Sequence, residues 1–122
     1  MSRLVALLAL IGLSACMSAK PMTTTEVFSV FADKTYRSTS RPVATYFSPD
    51  GTMTEVDQSS WAQITGTWYV KEPDFFCTQL GDYPEVCQKV ARLDGAYQFS
   101  SNGKTSSRSY DRWVIGDQTS PK

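Results

Sequence analysis

The chain contains no histidine, only three cysteines, and no excess charge of either sign: twelve basic residues face twelve acidic ones. The missing histidine excludes Ser-His and Cys-His nucleophile pairs, histidine metal sites, and the one side chain that titrates near neutrality unaided. The neutral balance argues against a general nucleic-acid binder, which needs a basic face to neutralise phosphates. Alternation of strands and helices in the βαβ sense is absent, so a doubly wound fold is excluded. Internal repeats, charge blocks and long low-complexity stretches are absent too. What remains is 122 residues, 41% apolar and 20% charged. That is enough for one domain with a core, and not comfortably for two.

The N-terminus carries the most specific signal. Arg3 supplies a positive start, and Leu4 to Leu13 is an unbroken apolar run of ten residues. Ten helical residues cover about 15 Å, roughly half the hydrocarbon thickness, so the run has the size of a signal-peptide core and not of a membrane span. Leu13-Ser14-Ala15-Cys16 then resembles the lipobox of bacterial lipoproteins. The resemblance implies that residues 1–15 are removed as a lipoprotein signal peptide, that Cys16 is diacylated on sulfur, and that its new α-amine is acylated as well. Two or three acyl chains hold a protein durably where one holds it marginally. The same resemblance, with Met17 rather than aspartate after the cysteine, implies the outer membrane, facing the periplasm. Residues 16–24 read as the lipidated cysteine and a short polar tether. The competing reading is an ordinary secreted protein cleaved after Ala15.

Removal of the leader leaves 107 residues and a formal charge of −1. Thr23-Thr24-Thr25-Glu26 fits a capping box, followed at helical spacing by Val27, Phe28, Val30 and Phe31, which predicts one short helix of about eight residues closed by Asp33-Lys34. Beyond Thr35 the punctuation is that of a β protein. Arg41 to Phe47 and Thr52 to Asp57 flank the turn Ser48-Pro49-Asp50-Gly51 as a hairpin. Ile64, Gly66, Trp68 and Val70 alternate with polar neighbours in the best-patterned strand, and Gly66 within it signals a bulge or a close backbone approach. Phe75 to Leu80, Val86 to Leu93 and Ala96 to Phe99 continue the series. Asp94-Gly95 and Asn102-Gly103 are hairpin signals, the second leading towards Tyr110 to Ile115. The expected fold is mainly β: an antiparallel meander or small curled sheet, a partial barrel of calycin-like kind, with one short N-terminal helix. The domain is expected over 25–116, with a polar tail at 117–122.

Cys77 and Cys87 flank a Gly/Pro-bearing loop and, in an oxidising compartment, are expected to form a disulfide. No Cys-x-x-Cys spacing or completing ligand points to a metal or redox pair. Eight acids against three basic residues make the segment from Asp50 to Asp94 acidic, read as solvated turns rather than a calcium loop or a catalytic carboxylate pair. Tyr46, Trp61, Trp68, Tyr97 and Trp113 are the candidates to line a ligand cavity, set against the commoner role of aromatics in filling a core.

Phe31-Ala32-Asp33-Lys34-Thr35-Tyr36, Tyr46 to Thr52, Gly66 to Val70, and the two cysteines before Asp94-Gly95-Ala96-Tyr97 occur in an order that resembles small uncharacterised exported proteins of alphaproteobacteria. The resemblance implies a β-sheet domain with a disulfide, and no activity. The expected function is a lipid-anchored, non-catalytic binding or interaction module of the cell envelope. Its partners are the membrane, through the acyl chains, and an envelope protein; no nucleic acid, metal or cofactor is expected. The alternatives are a lysozyme-inhibitor-like lipoprotein and a calycin-like carrier of a small apolar ligand.

Overall fold

The Thr23–Glu26 capping box closes as its spacing predicts. The Glu26 amide donates to Thr23 Oγ1 at 3.2 Å, and the Thr23 amide donates to Glu26 Oε1 at 3.4 Å. This satisfies two backbone donors around the start of helix α1 (Thr24–Phe31). The helix stops before Asp33, which takes a left-handed backbone at φ 59° and donates its amide to the Phe47 carbonyl at 2.8 Å. Val27 and Phe31, four apart and therefore on one face, are its buried residues. The computed structural model describes residues 19–120; Cys16 and the leader lie outside the described residues.

The strands are β1 (Lys20–Pro21), β2 (Lys34–Arg37), β3 (Val43–Phe47), β4 (Thr52–Asp57), β5 (Gln63–Lys71), β6 (Phe75–Leu80), β7 (Val86–Leu93), β8 (Ala96–Ser101), β9 (Lys104–Ser109) and β10 (Trp113–Ile115). Neighbours from β2 to β9 pair antiparallel in chain order, β10 returns to the free edge of β2, and β1 pairs with the far end of β7. The result is one antiparallel sheet nearly closed into a barrel. β9 and β10 stand at its two edges, and side chains reach across the seam. The Arg108 guanidinium lies 4.8 Å from the Tyr36 ring centre, and the Trp113 ring lies 6.2 Å from Tyr97 and 6.3 Å from Phe99. Curling in this way protects edges that would otherwise invite pairing with another chain.

Three segments carry more structure than their sequences advertise. Lys20-Pro21, within the expected tether, pairs with Arg92 and Ala91, and Met22 is buried behind it. Lys104–Ser109, whose residues are all polar, forms β9, and a 3₁₀ turn at Tyr110–Arg112 separates it from β10. The start of the expected polar tail docks on β2: Thr35 Oγ1 donates to the Gly116 carbonyl at 2.7 Å and accepts from the Gln118 amide at 2.9 Å. Thr119 is buried.

Phe31 sits at the centre of the core. Its ring centre is 4.5 Å from Trp113, 5.1 Å from Phe76 and from Tyr97, and 5.7 Å from Phe99. Phe47, Trp68 and Phe76 form a second cluster at 5.2–5.9 Å, and Phe28 stacks on Trp68 at 5.3 Å. The helix thus plugs one end of the curled sheet with aromatic side chains. Trp68 keeps its indole N–H satisfied by donating to the Ser48 carbonyl at 2.8 Å, which ties the β3–β4 turn to the core. Cys77 and Cys87 are direct cross-strand partners on β6 and β7 and form the disulfide.

Candidate ligand-binding cavity

Side chains alternate between the two faces along each strand, so one parity of every strand points into the barrel. Near the helix these inward residues are Phe47, Trp68, Phe76 and Phe99. Towards the other end the same rows turn polar. Thr45 is the register partner of both Tyr36 and Glu55, Gln88 is the partner of Phe76, and Ser106 is the partner of Phe99. These residues, with Thr78 and Arg108, surround a cavity of about 390 Å³; Phe47 and Phe76 floor it and the Ser38–Arg41 loop borders it. Its volume falls within the range of about 300–1,000 Å³ typical of small-molecule sites.

The charges in this cavity are unevenly matched. Glu55 Oε1 meets Arg41 Nη2 at 3.5 Å, a pair with Arg41 largely in solvent and Glu55 largely out of it. Arg108 has no carboxylate partner among the described residues. Its guanidinium stacks over Phe99 at 4.2 Å and over Tyr36 at 4.8 Å, contacts that favour a cation electrostatically while its five N–H donors make no hydrogen bond among the described residues. Burial draws its pKa below the ordinary guanidinium value, with Tyr36 opposing. Arg nonetheless stays charged at any physiological pH.

A second depression, about 490 Å³, adjoins the first through shared Arg41, Glu55 and Thr78. Ile64, Leu80, Tyr83, Pro84 and Val86 give it an apolar wall, and Ile64, Tyr83 and Val86 are exposed.

The five aromatics singled out in the sequence do not surround either space. Trp68 is buried in the core, while Tyr97 and Trp113 pack around Phe31. Trp61 lies in the turn after β4 with φ 62° and is exposed. Tyr46 points to the outer face, where its hydroxyl donates to Asp33 Oδ1 at 2.7 Å; that bond, with burial and charge adding to it, pushes its pKa up to about 12. Trp68, Tyr97 and Trp113 went into the core, and the polar part of the cavity was left to Ser, Thr, Gln, Glu and Arg, residue types that in a sequence read as solvent-facing. For Ser106, Ser107 and Arg108 the signal was a negative one, a strand-length segment between two turns with no apolar residue.

The acids behave as turn residues. Asp50 accepts from the Thr52 amide and hydroxyl, and Asp57 from the Ser59 amide and hydroxyl; the hydroxyl bonds lead in holding both carboxyls below their ordinary value. Glu85 lies within 4.8 Å of both cysteine sulfurs, but the disulfide consumes the thiolates that a metal would require, and Glu85 instead accepts from the Tyr69 hydroxyl at 2.8 Å.

No curated protein and no solved structure matches this chain significantly. One family does, over residues 5–91, a span that runs from the apolar N-terminal run into β7 and stops short of Arg108. The chain belongs to that family, described as "Protein of unknown function (DUF995)".

Proposed function

We propose that the protein is a lipid-anchored, non-catalytic binding module of the cell envelope, which receives a small polar ligand in the open end of its barrel. The observation that carries the binding role is the change of lining along the barrel. One end is plugged by α1 and a dense aromatic core, and the other holds a cavity of about 390 Å³ walled by hydroxyl, amide and charged groups. Packing a core favours aromatic and aliphatic side chains; an inward row of Thr45, Thr78, Gln88 and Ser106 adds little to packing and offers hydrogen-bonding groups to a ligand. A polar lining suits a polar ligand better than the apolar one a calycin-like carrier would take.

The non-catalytic part rests on the same groups. Among the described residues, none of the lining hydroxyls hydrogen-bonds to a base that would activate it. The chain also has no histidine to play that part. The anchoring part rests on Leu13-Ser14-Ala15-Cys16 behind a ten-residue apolar run, and the disulfide fits an oxidising compartment.

Two measurements test this reading. Cys16→Ser is expected to move the protein from the membrane fraction to the soluble one and to abolish acyl labelling; unchanged fractionation contradicts the anchor. Native mass spectrometry of the protein isolated gently from its own envelope is expected to show a small-molecule adduct that Ser106→Trp, by filling the cavity, removes. An adduct that survives this substitution, or none at all, contradicts the binding role.

A further inference from the structure

The cavity holds three charged side chains, Arg41, Glu55 and Arg108, for a net charge of +1. Arg41 and Glu55 face each other at 3.5 Å, so the surplus charge belongs to Arg108. Its position is built: the guanidinium lies over Phe99 at 4.2 Å and over Tyr36 at 4.8 Å, in a cavity it shares with Ser106, Ser107 and Gln88, and its N–H groups make no hydrogen bond among the described residues. A partly desolvated cation without a counter-charge is unfavourable, and an anion entering the cavity would relieve it. A guanidinium presents two parallel N–H donors that match the two oxygens of a carboxylate.

Resting on the binding role proposed above, we infer that the ligand is a small hydroxylated monocarboxylate, its acid group on Arg108 and its hydroxyls on Thr45, Thr78, Gln88 and Ser106. The single surplus charge favours a carboxylate over a phosphate monoester. The latter carries about −1.5 to −2 charges at neutral pH and would leave part of that charge unmatched in a partly desolvated site. The apolar depression beyond Glu55 plays no part in this recognition.

Calorimetric titration of the mature protein with D-glucuronate, D-glucose and D-glucose 6-phosphate tests the inference. The three share a hexose body and differ in acid group. Glucuronate is expected to bind about tenfold to a hundredfold more tightly than glucose, the worth of a charged hydrogen-bonded pair, and more tightly than the phosphate. Arg108→Gln is expected to erase the preference for glucuronate over glucose. Glu55→Gln, which removes the cavity's one carboxylate and leaves Arg108 in place, is expected to keep or raise it. Equal binding of glucuronate and glucose, a preference that survives Arg108→Gln in a cooperatively folding variant, or one that falls in Glu55→Gln overturns the anion assignment while leaving a sugar-binding cavity. Tighter binding of the phosphate overturns the monocarboxylate. Binding of none of the three overturns the ligand class, and the adduct measurement on native protein then decides the binding role separately.

Discussion

Gly66 faces the neighbouring strand so closely that an added Cβ would overlap the Gln79 carbonyl oxygen and lie 2.9 Å from the Leu80 Cα. Both obstacles are backbone, so neither can swing aside. Gly66→Ala is therefore expected to destabilise the protein by about 1–3 kcal/mol, read as a lower midpoint of urea unfolding. The sequence carried this constraint, since a glycine inside an alternating strand implies a bulge or a close approach, and the close approach is what occurs. Tyr46 offers a second test at this scale. Its phenol titrates at 10.0 unperturbed and at about 12 in the fold, held protonated by its hydrogen bond to Asp33. The folded pKa is the higher one, so the contribution of this bond is whole below about pH 10 and is lost as the pH climbs towards about 12. Absorbance titration of the wild type against Tyr46→Phe is expected to show that the tyrosinate missing from the variant titrates late, near pH 12; a missing component that titrates near 10 contradicts the bond. The residues of the cavity were not legible in this way. Ser106, Arg108 and Gln88 are common surface residues by type, and only the closure of the sheet turns them inward.

Legibility among the elements followed local signals. The helix was readable from Thr23, Glu26 and the Val27/Phe31 spacing, because a capping box and an apolar stripe are local features. The β3–β4 hairpin and the Asn102-Gly103 turn were readable for the same reason: Gly51, Asn102 and Gly103 all have positive φ. β9 was not, because apolar alternation is the primary strand signal and its inner face borders a cavity instead of a core. The Asn102-Gly103 turn leads into β9 rather than directly to Tyr110 to Ile115, which divides into a 3₁₀ turn and β10, and the pairing of Trp113 with Tyr36 is not local, since it joins residues far apart in the chain. The β6–β7 loop closure is testable by the disulfide. Chain entropy assigns the bridge on the order of 2.8 kcal/mol for a loop of about 11 residues. Reduction is expected to lower unfolding stability by about that amount while the native fold persists. No change in the urea midpoint contradicts this account of the bridge.

The molecule as a whole is a curled sheet with unlike ends. Aromatic side chains from α1, β3, β5, β6, β8 and β10 fill one end, and hydroxyl, amide and guanidinium groups line the other. The N-terminal segment runs along β7 at Lys20-Pro21, and the segment after β10 passes β2 through Gln118 and Thr119. Whether the polar end receives a small ligand is answered by an amide NMR titration. The labelled protein is mixed with the low-molecular-weight fraction of cells that make it. Resonance changes confined to the Ser38–Arg41 loop, Thr45, Thr78, Gln88 and Ser106 to Arg108, with α1 unmoved, are expected if the ligand enters there. Changes spread over the outer face of the sheet, or none anywhere, would contradict it.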